Sequence, residues 1–515
     1  MASLGEPARP DPGIDGADDV DDVDVLIIGA GFSGLGTAAL LDRAGFGSFR
    51  ILESGDDVGG TWRENTYPGC ACDIPSPLYS FSFDQKSDWT RLFAPQPEIL
   101  DYLRDVARRR GLLEHTRFGV LVEQARWLPD EARWEVTAVS GERYRGRFLV
   151  SAVGPLHHPA YPDMPGIENF RGAEFHSATW DHDLDLTGKR VAVIGTGASA
   201  IQFVPAIADR VASLTVFQRT PPWIVPKGDR AFGTRHQRLS RWFRPYRAYV
   251  RNRLFWVHES RATGFVSNPS AMAATKALAQ TLLERQVPDA ALRARLTPDY
   301  EIGCKRLLIS STWYPTLSRP DVDVRPGPVR EVHPDAVIGA DGVPVPADVI
   351  IYGTGFDTQH NLTRLRIVGR DGIELADAWK GGNEAYLGTT VAGFPNLFVM
   401  AGPNTGLGHN SQVFMIEAQG RYVLGCLRRL RRRGATVMEV RPAVQHAFNG
   451  WLQGRMAATV WQAGGCRSWY QDSVTGRNTV LWPDTTIAFW RRTRRVRLSD
   501  YRLTGLDGEL VGQHP

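Results

Sequence analysis

Short apolar runs rich in β-branched residues alternate along this chain with stretches of helical spacing, and one such alternation occurs twice. Val23-Asp24-Val25-Leu26-Ile27-Ile28 reads as a buried parallel strand. The turn Gly29-Ala30-Gly31-Phe32-Ser33-Gly34 follows at once, Leu35 to Leu41 reads as a helix, and Phe49-Arg50-Ile51-Leu52-Glu53 closes a strand–helix–strand unit. The second copy runs through strand Arg190 to Ile194, turn Gly195-Thr196-Gly197-Ala198-Ser199-Ala200, a helix, and strand Leu214 to Arg219. Residues 226–302 break this rhythm. They are rich in Arg, Ala, Leu and aromatics at helical spacing, without strand alternation, and read as a helical insertion in the second unit. Val349 to Tyr352 and the turn Gly353-Thr354-Gly355 are expected to return the chain toward the first unit. Strand Leu397-Phe398-Val399, a glycine-rich turn from Met400 to Asn410, and a helix over Val413 to Leu430 follow.

A lone GxGxxG is weak evidence, but here a strand precedes each turn and a helix follows. Gly29 makes the tight turn, Gly31 lets backbone approach a pyrophosphate, and Gly34 allows close packing of helix on strand. The helix start then offers unpaired N–H groups to the diphosphate. Glu53 ends the next strand, at the spacing of a carboxylate that accepts ribose hydroxyls. In the second turn Gly195 and Gly197 keep their places, and Ala200 takes the third. Arg219 and Thr220 stand where an acid would end the strand. A carboxylate there would repel a 2′-phosphate, whereas a guanidinium grips it, so NADPH is expected over NADH. The bland alternative for Arg219 is an ordinary surface arginine. The predicted fold is α/β, with two Rossmann-like dinucleotide-binding domains and a helical insertion.

Composition narrows this little. A chain of 515 residues needs more than one core, and a formal charge of +4 is small for that length. Arginine clusters at 108–110, 428–433 and 491–497 read as solvated faces, and no nucleic-acid module accompanies them. No apolar run is long enough for a membrane span. The first 22 residues carry Asp11, Asp15, Asp18, Asp19, Asp21 and Asp22, and read as a disordered acidic tail rather than a signal peptide. Five cysteines include no CxxC pair. That argues against a thiol–disulfide reductase and fits a reducing cytoplasm.

Three stretches make the chain resemble the type I Baeyer–Villiger monooxygenases, relatives of the flavin-containing monooxygenases. Phe170 to Asp181 matches the fingerprint FxGxxxHxxxW followed by Pro or Asp, through Phe170, Gly172, His176, Trp180 and Asp181. Gly59 to Asp73 matches GGxWxxxxYPGxxxD, with Gly60, Trp62, Tyr67 and Asp73 in place. Gly303-Cys304-Lys305-Arg306 is similar to the segment that carries the family's active-site arginine. The resemblance implies FAD in the first nucleotide domain, NADPH in the second, and attack on a ketone by a C4a-peroxyflavin to give an ester or lactone. It implies Arg306 as the cation that holds the peroxide charged, with Asp73 as its partner. A fixed guanidinium suits this because it stays charged in a poorly solvated pocket. An ordinary buried ion pair is the alternative for these two residues.

The resemblance also implies a wall beside the flavin from Trp62, and a domain-motion or positioning role for His176 rather than direct catalysis. It suggests a mobile C-terminal loop carrying Trp469. Lys305, beside Arg306, is expected to reach the 2′-phosphate from the side opposite Arg219, with an ordinary solvent lysine as the alternative. His409 and Asn410 are candidates to face the substrate. The expected domains are a tail at 1–22, the FAD domain at 23–155 and 375–515, the NADP domain at 156–225 and 303–374, and the insertion at 226–302. No metal site is expected, and the partners are dioxygen and a small ketone. A heteroatom oxygenase making N- or S-oxides is the competing reading, and a non-oxygenating flavoprotein is a second.

Overall fold

Strand Asp21–Ile28 lies at the centre of an eight-stranded sheet, flanked in parallel by Phe49–Leu52 on one side and Arg143–Ser151 on the other. The computed structural model describes residues 20–511. The sheet order is Arg366–Val368, Val122–Leu128, Arg133–Ala138, Arg143–Ser151, Asp21–Ile28, Phe49–Leu52, Thr116–Arg117. Leu397–Val399 pairs with the second half of Arg143–Ser151. Helix Phe32–Arg43 packs on this sheet and against the long helix Gln412–Arg433. Leu35, Ala38 and Leu41 from the first helix and Met415, Val423 and Leu427 from the second join one core. Leu35 is fully buried, so its truncation to Ala costs about 2–5 kcal/mol.

A second sheet has five parallel strands in the order Val322–Pro326, Ser213–Gln218, Arg190–Ile194, Val349–Tyr352, Ala173–His176. Its central strands are buried almost throughout, as a sheet covered on both faces requires. Both strand–helix–strand units thus stand where the hydrophobic pattern puts them. Two boundaries differ from the sequence expectation. Arg366–Val368, expected in the second nucleotide domain, pairs with Val122–Leu128 of the first sheet. A three-residue strand has too little pattern to reveal its sheet. Asp21 and Asp22, expected in the tail, begin the central strand, where Arg50 and Arg133 neutralise them. Residues 1–19 of that expected tail lie outside the described residues.

The insertion is helical, with Thr234–Trp242, Arg244–Glu259, Ala273–Gln286 and Ala290–Leu296 as its main helices. It is anchored on the first domain as well as the second. The buried Arg251 donates to the carbonyls of Pro77, Leu78 and Ser80 at 2.8, 3.2 and 2.9 Å. On the other side, the Trp223 indole donates to the Tyr300 carbonyl at 2.9 Å. Cys304 and Cys466 form a disulfide, where the sequence expectation was a chain of reduced cysteines. They are 162 residues apart, a spacing that no motif flags. No helix among the described residues is long and apolar enough to cross a membrane.

Candidate active site

A continuous cavity of about 1880 Å³ runs between the two sheets and the insertion. Single small-molecule pockets occupy roughly 300–1,000 Å³, so this one has room for more than one ligand. Both glycine turns open onto it.

At the first turn Gly29 has φ +102°, and a Cβ there would lie 2.7 Å from the Ala152 carbonyl oxygen. A Cβ on Gly34 would collide with the Gly29 carbonyl. Gly60, at φ +53°, faces Gly31 so closely that its Cβ would lie 3.2 Å from the Gly31 Cα. The start of helix Phe32–Arg43 has no side-chain cap, which leaves its N–H groups free for a phosphate. Glu53 is buried and accepts the Ala30 N–H at 2.7 Å, the Gly55 N–H at 2.9 Å and Arg63 at 3.0 Å. Arg63 is a part of this turn that the sequence did not single out.

The second turn repeats the device. Gly195 has φ +104°, and a Cβ there would sit 2.6 Å from the Gly353 carbonyl oxygen. Gly197, Ser199, Arg219, Thr220 and Lys305 all line the cavity. Arg219 is exposed and follows the strand end directly. Burial lowers the Lys305 ammonium below the usual lysine range, and the charge of Arg219 lowers it further. Two cations thus converge on one spot, which is the donor set for a phosphate monoester. The residues present therefore fit a dinucleotide at each turn, with a 2′-phosphate at the second.

Arg306 and Asp73 meet in the cavity wall. The Arg306 Nε donates to Asp73 Oδ2 at 3.0 Å, and Nη2 donates to the same oxygen. Asp73 raises the guanidinium above its ordinary value against the opposing effect of burial. The Arg306 side chain remains 41% accessible where it opens on the lumen. Trp62 and Tyr79 line the same wall, joined by an indole-to-hydroxyl hydrogen bond of 3.2 Å. Burial pushes the Tyr470 hydroxyl up to about 12, while Arg306 pulls the other way. Tyr470 therefore stays protonated next to the guanidinium. Trp469 lines the cavity, 40% exposed, with its carbonyl held by Gln359 at 3.1 Å. The disulfide ties its loop to the Cys304-Lys305-Arg306 segment.

The loop Tyr67–Asp73 is fastened to the second domain by one side chain that the sequence reading missed. Gln202, in helix Ala200–Ile207, accepts from the Tyr67 hydroxyl at 3.0 Å and donates to the Ala71 carbonyl at 2.9 Å. Nothing in its sequence context marks it, since a lone glutamine in an apolar helix looks incidental.

His176 does not line the cavity. It ends strand Ala173–His176, wholly buried, with its ring edge-on to Tyr161 and Phe356. Nδ1 accepts the Ala178 N–H at 3.0 Å, and burial pushes the ring down to about 4, so it is neutral near pH 7. Trp180 packs on Phe175 and Phe203, and the Phe170 ring lies over Gly172, where a Cβ would meet it at 2.6 Å. This fingerprint is packed structure along the edge strand of the second sheet. His409 and Asn410 line the cavity but turn their polar atoms to Glu259 and Thr486. Burial would raise the Glu259 carboxyl. Hydrogen bonds from His409, the Ile487 N–H, Thr486 and Asn410 instead hold it at about 2.

Comparison with known proteins agrees with this geometry. A profile of flavin-binding monooxygenase-like proteins matches residues 22–235. A Baeyer–Villiger monooxygenase of Streptomyces coelicolor is 48% identical over 93% of this chain and 92% of its own length. One from Pseudomonas aeruginosa is 47% identical over 93% and 91%. Among solved structures, cyclohexanone monooxygenase from Rhodococcus bound to NADP+ superposes with a TM-score of 0.84 at 29% identity, over 95% of this chain and 100% of that one. OTEMO in complex with FAD and NADP gives 0.83 at 28% identity, over 94% and 99%. The chain belongs to the flavin-binding monooxygenase family and, within it, to the Baeyer–Villiger monooxygenases, as an FAD- and NADPH-dependent monooxygenase.

Proposed function

We propose that this enzyme converts a ketone to an ester or lactone, with Arg306 as the charged group at the reacting centre and Asp73 as its holder. The balance is one ketone, one dioxygen, one NADPH and one proton, giving one ester, one water and NADP+. The observation that carries the reading is the Arg306–Asp73 pair opening on the cavity that both glycine turns share.

Gly29, Gly31, Gly34, Gly60 and Glu53 hold FAD, and Gly195, Gly197, Ser199 and Thr220 receive NADPH. Arg219 and Lys305 clasp its 2′-phosphate. Bound FAD supplies the capacity to accept hydride from NADPH and to activate dioxygen. Arg306 stabilises negative charge that develops on oxygen beside it. Preorganised charge of this kind is worth most where water is excluded. Asp73 fixes the guanidinium's orientation through the two hydrogen bonds to its Oδ2. Trp62, Tyr79 and Tyr470 keep the wall dry. Trp469 closes the NADPH end. Phe170, Gly172, His176 and Trp180 set how the second domain seats on the first, and no proton transfer is assigned to His176. We place the enzyme in the cytoplasm, where its reductant NADPH is made.

The test is Arg306→Ala, assayed on one cyclic ketone, one thioether and one amine. FAD content and NADPH oxidation persist, ester formation falls by about 10²–10³, and hydrogen peroxide replaces the product. Ester formation at the wild-type rate refutes the assignment. Oxygenation of the thioether or amine alone, by the unmodified enzyme, refutes the ketone reading.

A further inference from the structure

Between Asp229 and Glu259 the sequence contains eight arginines and no carboxylate. This segment forms the first two helices of the insertion, Thr234–Trp242 and Arg244–Glu259. One face of the second helix is fixed on the protein body through Arg251, Phe255, His258 and Glu259. The other face is open and aromatic. Trp242 is 79% exposed, Tyr249 63%, Trp256 60%, and Phe243, at the elbow between the helices, 55%. Tyr249 and Trp256 lie two turns apart, so they share one face. Only three tryptophans are exposed among the described residues, and the third, Trp469, belongs to the cavity.

The arginines around these rings form no ion pairs, although Asp88 lies within electrostatic reach of Arg241. Arg235, Arg238, Arg241, Arg244 and Arg253 are exposed, and none has a carboxylate within ion-pair distance among the described residues. Arg104 and Arg108 of another helix are paired, with Asp57 and Asp105, and where exposed helical arginines are unpaired elsewhere, as at Arg431, Arg432 and Arg433, no exposed aromatic ring accompanies them. Unpaired arginines interleaved with exposed Trp, Tyr and Phe, on helices held rigidly to the body, fit an interface with two layers of chemistry. Arginines meet phosphate headgroups, while aromatic rings sit at the boundary between headgroup and acyl chain.

We infer that the outer face of these two helices docks on the surface of an anionic lipid bilayer. A second copy of this chain would bring like charges together and pair nothing. A nucleic acid would use the arginines but leave the rings without an apolar partner. Only an anionic bilayer satisfies both sets. The face also borders the cavity mouth: Val257 and Leu278 are exposed, and both line the cavity. An apolar molecule dissolved in the bilayer thus has a short, apolar way in. The docking itself is independent of the ketone reading and is measured without turnover.

The experiment is co-sedimentation of the FAD-loaded enzyme with vesicles of phosphatidylcholine containing phosphatidylglycerol, and with phosphatidylcholine alone. Binding is expected to the anionic vesicles and to weaken strongly in 1 M salt, where screening acts within about 3 Å. Arg238→Gln with Arg241→Gln lowers the partition coefficient by about five-fold per arginine. Trp242→Ser with Trp256→Ser abolishes quenching of tryptophan fluorescence by brominated lipid. Retained FAD absorbance and NADPH oxidation show that the variants are folded. Four results overturn the proposal: no vesicle binding, equal binding to neutral vesicles, binding unchanged in the variants, or self-association or DNA binding through this face without vesicle binding.

Discussion

Arg219→Ala isolates one charge on the second nucleotide turn. Arg219 follows strand Ser213–Gln218 and, with Lys305, lines the cavity at the place assigned to the 2′-phosphate. A hydrogen bond to a charged group contributes about 1.5–3 kcal/mol. Arg219 is exposed, so solvent screens it and the low end applies. About 1.5 kcal/mol corresponds to about a ten-fold rise in KM for NADPH. NADH lacks the phosphate, and its KM does not move. Initial rates of NADPH and NADH oxidation, measured side by side, give both numbers. A pH series adds an independent readout. Burial, and then the Arg219 charge, lower the Lys305 pKa. NADPH binding therefore weakens as pH rises through that lowered value, and removal of Arg219 moves this weakening to higher pH. An unmoved KM for NADPH, or an NADH KM that rises in step with it, refutes the reasoning.

Four further outcomes are expected. Glu259→Gln destabilises the enzyme by about 3 kcal/mol at neutral pH, because the folded carboxyl is held at about 2 from an ordinary value of 4.5. A depressed carboxyl stabilises fully above its unfolded value and loses that contribution as pH falls through about 2, so urea unfolding of the two forms at pH 7 and pH 3 shows the gap narrowing. Gly34→Val yields protein without FAD, since its Cβ would collide with the Gly29 carbonyl; the flavin absorbance of the purified variant is the check. Cys466→Ser, or reduction, removes a cross-link spanning 162 residues and costs up to about 5 kcal/mol, read as a lower Tm with reductant than without. Tyr470→Phe leaves the pH–rate profile below pH 10 unchanged, because burial keeps that hydroxyl protonated until about 12, and a profile shifted near neutrality speaks against it.

Both glycine turns were legible from the hydrophobic pattern, because each strand–turn–helix is local and its glycines answer to backbone sterics. The Arg306–Asp73 pair was not legible from pattern at all. Its members are 233 residues apart, and only the resemblance through Gly59–Asp73 and Gly303–Arg306 joined them. Gln202, Arg63 and Glu259 escaped notice because each is a single polar residue whose meaning lies in partners on other elements. The short strand Arg366–Val368 escaped for a different reason, since three residues hold too little alternation to say which sheet they join. His409 was legible in part: it lines the cavity, as its place after a glycine-rich turn suggested, while the Nε2 bond to Thr486 and its approach to Glu259 had no sequence signal.

Gln202 touches both the amide and the carbonyl of Ala71, two positions before Asp73, and it does so from the first helix of the other domain. A slip of about an ångström between the domains stretches these bonds beyond useful length. The carboxylate that aims Arg306 is therefore geared to the docking of the neighbouring domain. Pivoting of one half against the other is transmitted, through a single amide, into the alignment of the cation in the opposite half.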